Sequence, residues 1–334
     1  MKSLVQSVRT GDLRIAETPD PVIGPTEVLV QTTKSVVSAG TERAVRNLAS
    51  ASLLQKAKAR PDLVKQVLRK AKDDGIRSTL DAVRSRLEDE MPMGYSAAGL
   101  VLEVGSAVTH VRPGMRVATG GSGHGDLQVV SGLLACPVPD GVSDEAAAFS
   151  TVSAIAMHGL RLADVGPGGT VCVVGLGLIG QLTVRLALAS GLRVFGVDLR
   201  EWTVARARAA GATASVERGE ATTAEIVDWS RGRGVDAVLL TAATSSSEPT
   251  LLAPVRVRDR GSVIVVGDVG LDLDRRTLFE REVNVRVARS YGPGRYDRAY
   301  EDWAVDYPIG YVRFTEGRNL ETALDLMEMK RFDA

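Results

Sequence analysis

The sequence predicts an α/β protein in which a doubly wound parallel sheet is inserted into a second, β-rich domain. Three observations lead to this prediction. The 334 residues are too many for one compact core. Apolar strands alternate with helical segments from about residue 149 to 285. Short β segments punctuated by glycine and proline occupy much of the first 148 residues.

The β-rich domain is predicted to comprise residues 1–148 and 286–334, so the inserted sheet divides it in the sequence. Its predicted strands are Ser3–Arg9, Leu13–Glu17, Glu27–Val37, Gly99–Val104, Arg116–Ala118 and Leu127–Val130. From about residue 44 to 90 the pattern is instead typical of helix, with one apolar face formed by Leu63, Val64, Val67 and Leu68. We therefore expect a helical insertion between the third and fourth of these strands.

The nucleotide-binding domain is predicted over residues 149–285. A helix from Asp144 to about Ala163 leads into it, and further helices begin near Ile179, Glu201 and Ala224. Its four predicted parallel strands are Val171–Val174, Val194–Val197, Ala237–Thr241 and Val263–Val266. A last helix is predicted over Leu320–Lys330, in the second part of the β-rich domain.

The most specific motif directly follows the first parallel strand. Gly175, Gly177 and Gly180 form a GxGxxG pattern that opens an amphipathic helix. Such glycines allow a tight turn and a close approach of the backbone to a pyrophosphate, which the helix N-terminus holds. Asp198, at the end of the next strand, can accept the ribose hydroxyls of an adenosine and would repel a 2′-phosphate. The pattern predicts NAD as cofactor, and the alternative is a glycine-rich turn that binds nothing.

Further residues at the same edge of the sheet are predicted to line the cofactor. They lie in the glycine-rich turn and at the carboxyl ends of the strands, where ligands bind in open α/β sheets. These residues are Leu178, Ile179, Leu199, Arg200, Thr241 and Val266.

Composition excludes several other classes of protein. Lys and Arg number 41 and Asp and Glu also number 41, so no net charge favours a nucleic-acid partner. No apolar stretch is long enough to span a bilayer, and the first six residues lack a signal-peptide core. Only Cys136 and Cys172 are present, which argues against a disulfide framework. We therefore expect a cytoplasmic protein without a membrane partner.

The chain resembles the medium-chain dehydrogenase/reductase superfamily, in which a Rossmann domain is inserted into a GroES-like catalytic domain. The resemblance rests on Val111–Val117, Val165–Val171 and Val197–Arg200. Ser38–Arg43 and Tyr291–Asp297 resemble one subgroup, whose members often carry a second, sugar-type oxidoreductase domain. The resemblance also implies a small-molecule substrate and a homodimer joined through the nucleotide domains.

The chain departs from the zinc enzymes of this superfamily at the metal-ligand positions. Ala39 replaces the first cysteine ligand, and Ser150 lies near the position of the last. The Gly-His-Glu element reads Gly94-Tyr95-Ser96, and the lobe that binds structural zinc is missing. The two cysteines and three histidines of the whole chain include no closely spaced pair of ligands. We therefore predict that no metal is bound.

Without a metal, hydroxyl, phenol or cationic groups must stabilise a developing alkoxide. By resemblance, Thr41 occupies the position whose hydroxyl binds the substrate oxygen, although it also suits the start of a helix. Tyr95 stands where the zinc-binding histidine would project, and its phenol either polarises a carbonyl or fills the vacated cavity. Glu42 replaces a carboxylate that lies around the zinc ligands in the zinc enzymes, and it is expected to pair with Arg43 or another cation.

The segment Tyr291–Asp297 is expected to return across the cleft. Arg295 is predicted to clamp an anionic group beside Tyr291, and the alternative is a turn braced by Arg295 with Asp297. His124, in a glycine-rich loop, is a weaker candidate for the site.

These residues favour a zinc-independent, NAD-dependent dehydrogenase that oxidises a secondary alcohol or reduces the corresponding ketone. The resemblance to the subgroup implies that the substrate is a sugar, polyol, cyclitol or similarly polar metabolite. One alternative is a zinc-free enoyl or quinone reductase. Asp198 argues against that reading, because such enzymes commonly use NADPH. The other alternative is a non-catalytic NAD-binding module that serves a second oxidoreductase.

Overall fold

The structure is a computed structural model that describes residues 1–50, 64, 65, 69, 72, 89–332 and 334. It confirms the predicted fold class, since antiparallel sheets accompany a parallel sheet of the doubly wound type. Helix α1 spans Ala39–Ser50, and Val64 is likewise helical, as are Lys65, Arg69 and Lys72. The rest of the predicted helical insertion, including Leu63, Val67 and Leu68, lies outside the described residues.

Two antiparallel sheets are formed by the described residues before position 138. The smaller has the strand order β2-β1-β4 and contains β1 (Lys2–Ser7), β2 (Leu13–Glu17) and β4 (Glu90–Pro92). The larger has the order β7-β3-β5-β6-β8 and contains β3 (Glu27–Ser35), β5 (Ser96–Val104), β6 (Arg116–Gly120), β7 (Leu127–Ser131) and β8 (Ala135–Pro137). Alternate residues of its central strands, such as Val30 and Val101, are paired and buried in one core.

The parallel sheet has six strands in the order β11-β10-β9-β12-β13-β14. They are β9 (Thr170–Val174), β10 (Arg193–Asp198), β11 (Thr213–Val216), β12 (Val235–Leu240), β13 (Val257–Val265) and β14 (Asn284–Val287). The strand order reverses beside β9, so the crevice at the carboxyl ends of β9 and β12 is the expected ligand position. The sequence analysis missed β11 and β14, which have four residues each and too few apolar side chains to form a pattern.

The remaining helices include the predicted ones and three, between residues 248 and 301, that the sequence analysis missed. They are α2 (Asp144–Ala147), α3 (Ser150–Ala163), α4 (Leu178–Ala189), α5 (Glu201–Ala209), α6 (Glu220–Trp229), α7 (Glu248–Arg256), α8 (Arg275–Arg281), α9 (Arg298–Glu301) and α10 (Glu316–Glu328). The prediction of one helix from Asp144 to Ala163 was wrong. The Ser96 hydroxyl on β5 donates to the Ala148 carbonyl at 2.5 Å, and the helix is interrupted at this point, between α2 and α3.

Helix α3 joins the two parts of the molecule. It packs on β5 and β6 of the larger antiparallel sheet, and on β12, β13 and α4 of the part built around the parallel sheet. The Thr151 hydroxyl donates to the carbonyl of Thr119 at the end of β6, at 3.1 Å. One hydrophobic cluster contains Ala118 of β6, Ala156 of α3 and Leu182 of α4. The same core therefore holds together the antiparallel part and the part built around the parallel sheet, and we call the boundary between the two parts the cleft.

In the part of the chain that the structure describes, no helix is both long enough and apolar enough to cross a bilayer.

Candidate functional site

The glycine-rich turn between β9 and α4 uses its three glycines in different ways. A Cβ on Gly175 would lie 2.5 Å from the Ala242 nitrogen, and one on Gly180 would lie 1.9 Å from the Gly175 carbonyl oxygen. Both glycines are therefore required for the helix to pack closely on the sheet. A Cβ on Gly177 would meet nothing within 4 Å. The backbone at Gly177 thus borders open space at the N-terminus of α4, as a pyrophosphate site requires.

Asp198, at the end of β10, is buried beside this turn. Its Oδ2 accepts from the Leu176 N–H at 2.6 Å, and its Oδ1 accepts from the N–H and Nε–H of Arg200 at 3.0 and 3.2 Å. Burial acts to raise the pKa of Asp198, but the donors from Leu176 and Arg200 outweigh it and hold the pKa below its usual value. A carboxylate offers about four acceptor positions, so this charged group keeps capacity for a ribose hydroxyl.

The other predicted cofactor residues divide into two groups. Thr241 holds the turn itself, because its hydroxyl donates to the Gly175 carbonyl at 2.6 Å. Val266 packs against α3, where a Cβ on Gly159 would approach its side chain to 2.8 Å. Leu178 and Ile179 are half-buried, as are Thr241 and Val266, whereas Leu199 and Arg200 are exposed.

Thr41 lies in the first turn of α1 and is exposed. Ser38, just before the helix, donates its hydroxyl to Thr41 Oγ1 at 3.4 Å and its N–H to Glu42 Oε1 at 2.9 Å. The Thr41 hydroxyl is therefore oriented by the helix start and accessible to a ligand. Glu42 has an ionisable partner, His124, whose Nε2 lies 3.2 Å from Oε1.

Tyr95 lies between β4 and β5 and is half-buried. Its carbonyl accepts from the Gly121 N–H at 3.0 Å. Its ring packs against the same hydrophobic cluster as Leu178 and Ile179 of the glycine-rich turn. Among the hydrogen bonds of the described residues, none involves the Tyr95 hydroxyl. Tyr95 thus shares a hydrophobic core with the glycine-rich turn, and its hydroxyl is not used by another described residue.

His124 makes contacts that its sequence position did not reveal. Its Nδ1 lies 2.9 Å from Ser35 Oγ, while its Nε2 faces Glu42. The ring lies against Gly94, where a Cβ would be 2.8 Å from three ring atoms. Gly94 also has a φ of +94°, which disfavours any larger residue. Ser35 and His124 are 89 residues apart, so no local spacing could have indicated the contact.

The side chains of the predicted turn around Arg295 form contacts with one another and with the helix that follows. Arg295 forms an ion pair with Glu301 of α9, and its guanidinium lies 5.4 Å from the centre of the Tyr291 ring. Asp297 instead caps α9 by accepting from the Ala299 N–H at 2.9 Å. Of the two sequence interpretations, this geometry favours a braced turn, although the partner is Glu301 and not Asp297.

A buried polar cluster lies between this turn and α10. Tyr291, Glu316 and Asn319 are at most 2 % exposed. The Asn319 side-chain amide donates to the Tyr291 carbonyl at 2.7 Å. The Tyr291 hydroxyl and both Glu316 carboxyl oxygens have no hydrogen-bond partner among the described residues. Burial, with the nearby Glu301, raises the pKa of Glu316 to about 8, and burial likewise raises the pKa of Tyr291.

The positions that match zinc ligands do not fit a metal. Ala39 and Tyr95 offer neither a thiolate nor an imidazole, and the hydroxyls of Ser96 and Ser150 donate to backbone carbonyls. Within the described ranges, no three His, Cys, Asp or Glu side chains are grouped so that they could hold a metal ion. The glycine-rich turn and Asp198, in contrast, fit a dinucleotide.

Comparison with known proteins supports this assignment of the nucleotide-binding part. Residues 179–305 match the family described as zinc-binding dehydrogenase. The matched segment excludes residues 39, 94–96 and 150, where the ligands of the zinc enzymes would stand.

Individual relatives match a larger part of the chain. A probable D-xylulose reductase A from Emericella nidulans is 26% identical over 254 residues, which cover 64% of this chain and 70% of the relative. An uncharacterised zinc-type alcohol dehydrogenase-like protein, YdjJ from Escherichia coli, is 28% identical over 263 residues, covering 69% and 72%. Among solved structures, galactitol-1-phosphate dehydrogenase from E. coli aligns with a TM-score of 0.72 at 19% identity, over 100% of this chain and 90% of the other.

Proposed function

We propose that this chain is a zinc-independent, NAD-dependent dehydrogenase of the medium-chain dehydrogenase/reductase superfamily. It interconverts a secondary alcohol of a polar metabolite and the corresponding ketone. The observation that carries the proposal is the open space at Gly177 beside the buried, ionised Asp198. Oxidoreductases of this superfamily use such a turn to hold a nicotinamide dinucleotide.

The cofactor assignment rests on Asp198 and Arg200. A bound NAD supplies the hydride acceptor. The N–H groups at the start of α4 hold the pyrophosphate, and the remaining acceptor capacity of Asp198 holds an adenosine ribose hydroxyl. Arg200 would be a natural partner for a 2′-phosphate, but its Nε–H already donates to Asp198 at 3.2 Å. The negative charge of Asp198 therefore favours NAD over NADP.

The substrate oxygen is held by two neutral donors. The Thr41 hydroxyl is exposed at the start of α1, and the Tyr95 phenol lies on the core that also receives Leu178 and Ile179. In the oxidation direction, these hydroxyls hydrogen-bond to the alkoxide that develops as the hydride leaves. Removing one donor of this type typically lowers kcat by about 10²–10³-fold.

The substrate class is a polyol, sugar or cyclitol, together with the corresponding ketone. The relative named as a D-xylulose reductase supports this class. A substrate with several hydroxyls also suits a metal-free site, because each hydroxyl adds a hydrogen bond that orients the reacting carbon.

The test is nicotinamide absorbance during incubation of the full chain, treated with a chelator, with a panel of polyols, sugars and cyclitols. NAD⁺ and NADP⁺ are compared in parallel. Reduction of NAD⁺ that the chelator does not affect is the expected result. No turnover with any alcohol or ketone, while NADH still binds, would support the non-catalytic module instead. Preference for NADP⁺ with a quinone or enoyl acceptor would support the reductase alternative.

A further inference from the structure

Ser35, His124 and Glu42 form a connected trio of side chains in the antiparallel part of the molecule. His124 Nδ1 lies 2.9 Å from Ser35 Oγ, and its Nε2 lies 3.2 Å from Glu42 Oε1. The side chains of His124 and Glu42 are 10% and 14% exposed, whereas Ser35 is exposed. The trio therefore leads from a nearly buried carboxylate to an accessible hydroxyl.

The trio is connected through the chain to both proposed substrate donors. Glu42 directly follows Thr41 in α1. The His124 ring rests on Gly94, whose chain neighbour is Tyr95. The backbone N–H of His124 donates to the Met93 carbonyl at 2.5 Å, so the loop that contains His124 is held against the segment that contains Tyr95.

The hydrogen-bond partners fix the direction in which each group donates. A carboxylate only accepts, so a neutral His124 carries its proton on Nε2 and donates to Glu42. Nδ1 then presents a lone pair, which accepts from the Ser35 hydroxyl. A hydroxyl beside a base that a carboxylate orients is the arrangement of an acid–base unit. The Ser38 N–H donates to Glu42 at 2.9 Å and holds the carboxylate in place.

The trio supplies what the two donors lack. Threonine and tyrosine hydroxyls hydrogen-bond to an alkoxide, but neither retains an added proton near neutral pH. An imidazole is the side chain suited to accept and release a proton there.

We propose that His124 is the acid–base group of the reaction, and that it exchanges a proton with the substrate oxygen through Ser35. This inference rests on the proposed function. In oxidation, the substrate C–H bond breaks and its electron pair leaves as hydride to the nicotinamide. The O–H bond breaks as well, and its electron pair becomes the second C–O bond. The released proton passes to Ser35 Oγ while the proton of Ser35 passes to His124 Nδ1, and Glu42 stabilises the imidazolium until solvent takes the proton.

The first experiment is chemical rescue of His124→Ala. We expect turnover to fall by about 10²–10⁴-fold, the typical contribution of a general acid–base group, with NADH affinity unchanged. Added imidazole should restore turnover in proportion to its concentration. Ser35→Ala should lower turnover in the same direction, and it removes only one hydroxyl from an exposed residue. The matched control is His110→Ala, since His110 is exposed and its ring nitrogen lies 3.1 Å from the Ala135 carbonyl, away from Ser35 and Glu42.

A second readout needs neither substrate nor cofactor. Nitrogen NMR of the free protein should show the His124 ring protonated on Nε2, and Glu42→Gln should change that signal but not the signal of His110. A proton on Nδ1 alone would overturn the proposed direction of transfer.

The outcomes separate the relay from the function on which it rests. Wild-type turnover with an unimpaired His124→Ala variant overturns the relay alone. A loss that imidazole does not relieve, in a variant that still binds NADH, also overturns it, because a merely structural histidine would behave in this way. Stable acylation of Ser35 by an activated ester would assign the trio to acyl transfer instead. Absence of wild-type turnover with every alcohol and ketone overturns the proposed function, and the relay with it.

Discussion

The two sides of the cleft differ in how their polar groups are satisfied. On the nucleotide side, Asp198 accepts from three donors and Thr241 donates to the glycine-rich turn. On the opposite side, the Tyr291 hydroxyl and the Glu316 carboxyl are buried without a hydrogen-bond partner among the residues described. Tyr95 is half-buried, and no hydrogen bond of the described residues involves its hydroxyl. The first side is organised before any ligand arrives. The second holds donors that a substrate can engage, next to buried groups that are costly to leave unpaired.

The largest expected effect comes from a substitution that disrupts the glycine-rich turn on the nucleotide side. In Gly180→Ala, the new Cβ would lie 1.9 Å from the Gly175 carbonyl, so the turn must move. We expect NADH binding to be lost, and stability to fall by about 1–3 kcal/mol, as for overpacked sites. Gly177→Ala is the matched control, because its methyl would have no described residue beyond its own local backbone within 4 Å. It should leave the melting temperature unchanged and weaken NADH binding, as measured by fluorescence titration. Unchanged binding in Gly177→Ala would contradict our position for the pyrophosphate.

The next effect tests the unpartnered donors. Tyr95→Phe and Thr41→Val should each lower kcat by about 10²–10³-fold, because each removes one donor to the alkoxide. NADH affinity should stay the same. Tyr311→Phe, at a residue that is 90% exposed, is the control for loss of a phenol. Steady-state kinetics decide the matter, and wild-type rates in both variants would remove these residues from the mechanism.

A smaller effect sharpens the cofactor assignment. Asp198→Ala should weaken NADH binding by roughly tenfold to a hundredfold, the usual value of a hydrogen bond to a charged group. It should also improve the relative affinity for NADPH, because Arg200 is released to meet a 2′-phosphate. Titration of one variant with both cofactors provides its own reference. An equal loss of affinity for NADH and NADPH would mean that Asp198 only holds Leu176 in place.

The smallest effect concerns the unsatisfied carboxyl of Glu316. The folded protein keeps a proton on this group up to about pH 8, whereas the unfolded chain releases it near the ordinary carboxyl value. The contribution of Glu316 to stability is therefore fully present at low pH and is lost as pH rises toward and through about 8. Glu316→Gln should flatten this decline and raise stability above pH 8 by on the order of 1–3 kcal/mol. Denaturant unfolding at pH 6 and 9 measures the change, with Glu328→Gln, at an exposed position of the same helix, as control. Parallel pH profiles for Glu316→Gln and wild type would contradict it.

The comparison also shows which features could be predicted from the sequence. The glycine-rich turn and Asp198 lie close together in the chain, since Leu176 and Asp198 are only 22 residues apart. Their spacing was therefore enough to predict the nucleotide site. The trio of Ser35, Glu42 and His124 is assembled from separate segments, with 82 residues between Glu42 and His124. Its contacts depend on how the loops pack, and that packing cannot be predicted from a periodic pattern of apolar residues in the sequence.

Long-range contacts also explain the error in the helix prediction. The apolar pattern from Asp144 to Ala163 favours one helix, yet Ser96, 52 residues before Ala148, bonds to the carbonyl where the helix is interrupted. Strand β14 was missed for a similar reason, since its place at the edge of the sheet depends on pairing with β13 and not on its own four residues.

The hydrophobic cluster that runs from Ala118 through Ala156 to Leu182 has a consequence for how the protein loses its structure. Most pairs of domains within one chain meet through a relatively polar interface, and the two domains can unfold one after the other. Here the helix α3 cannot detach from one half without exposing the core of the other. Heat should therefore unfold both halves in a single calorimetric transition, and damage to either wall of the cleft is shared by the whole chain.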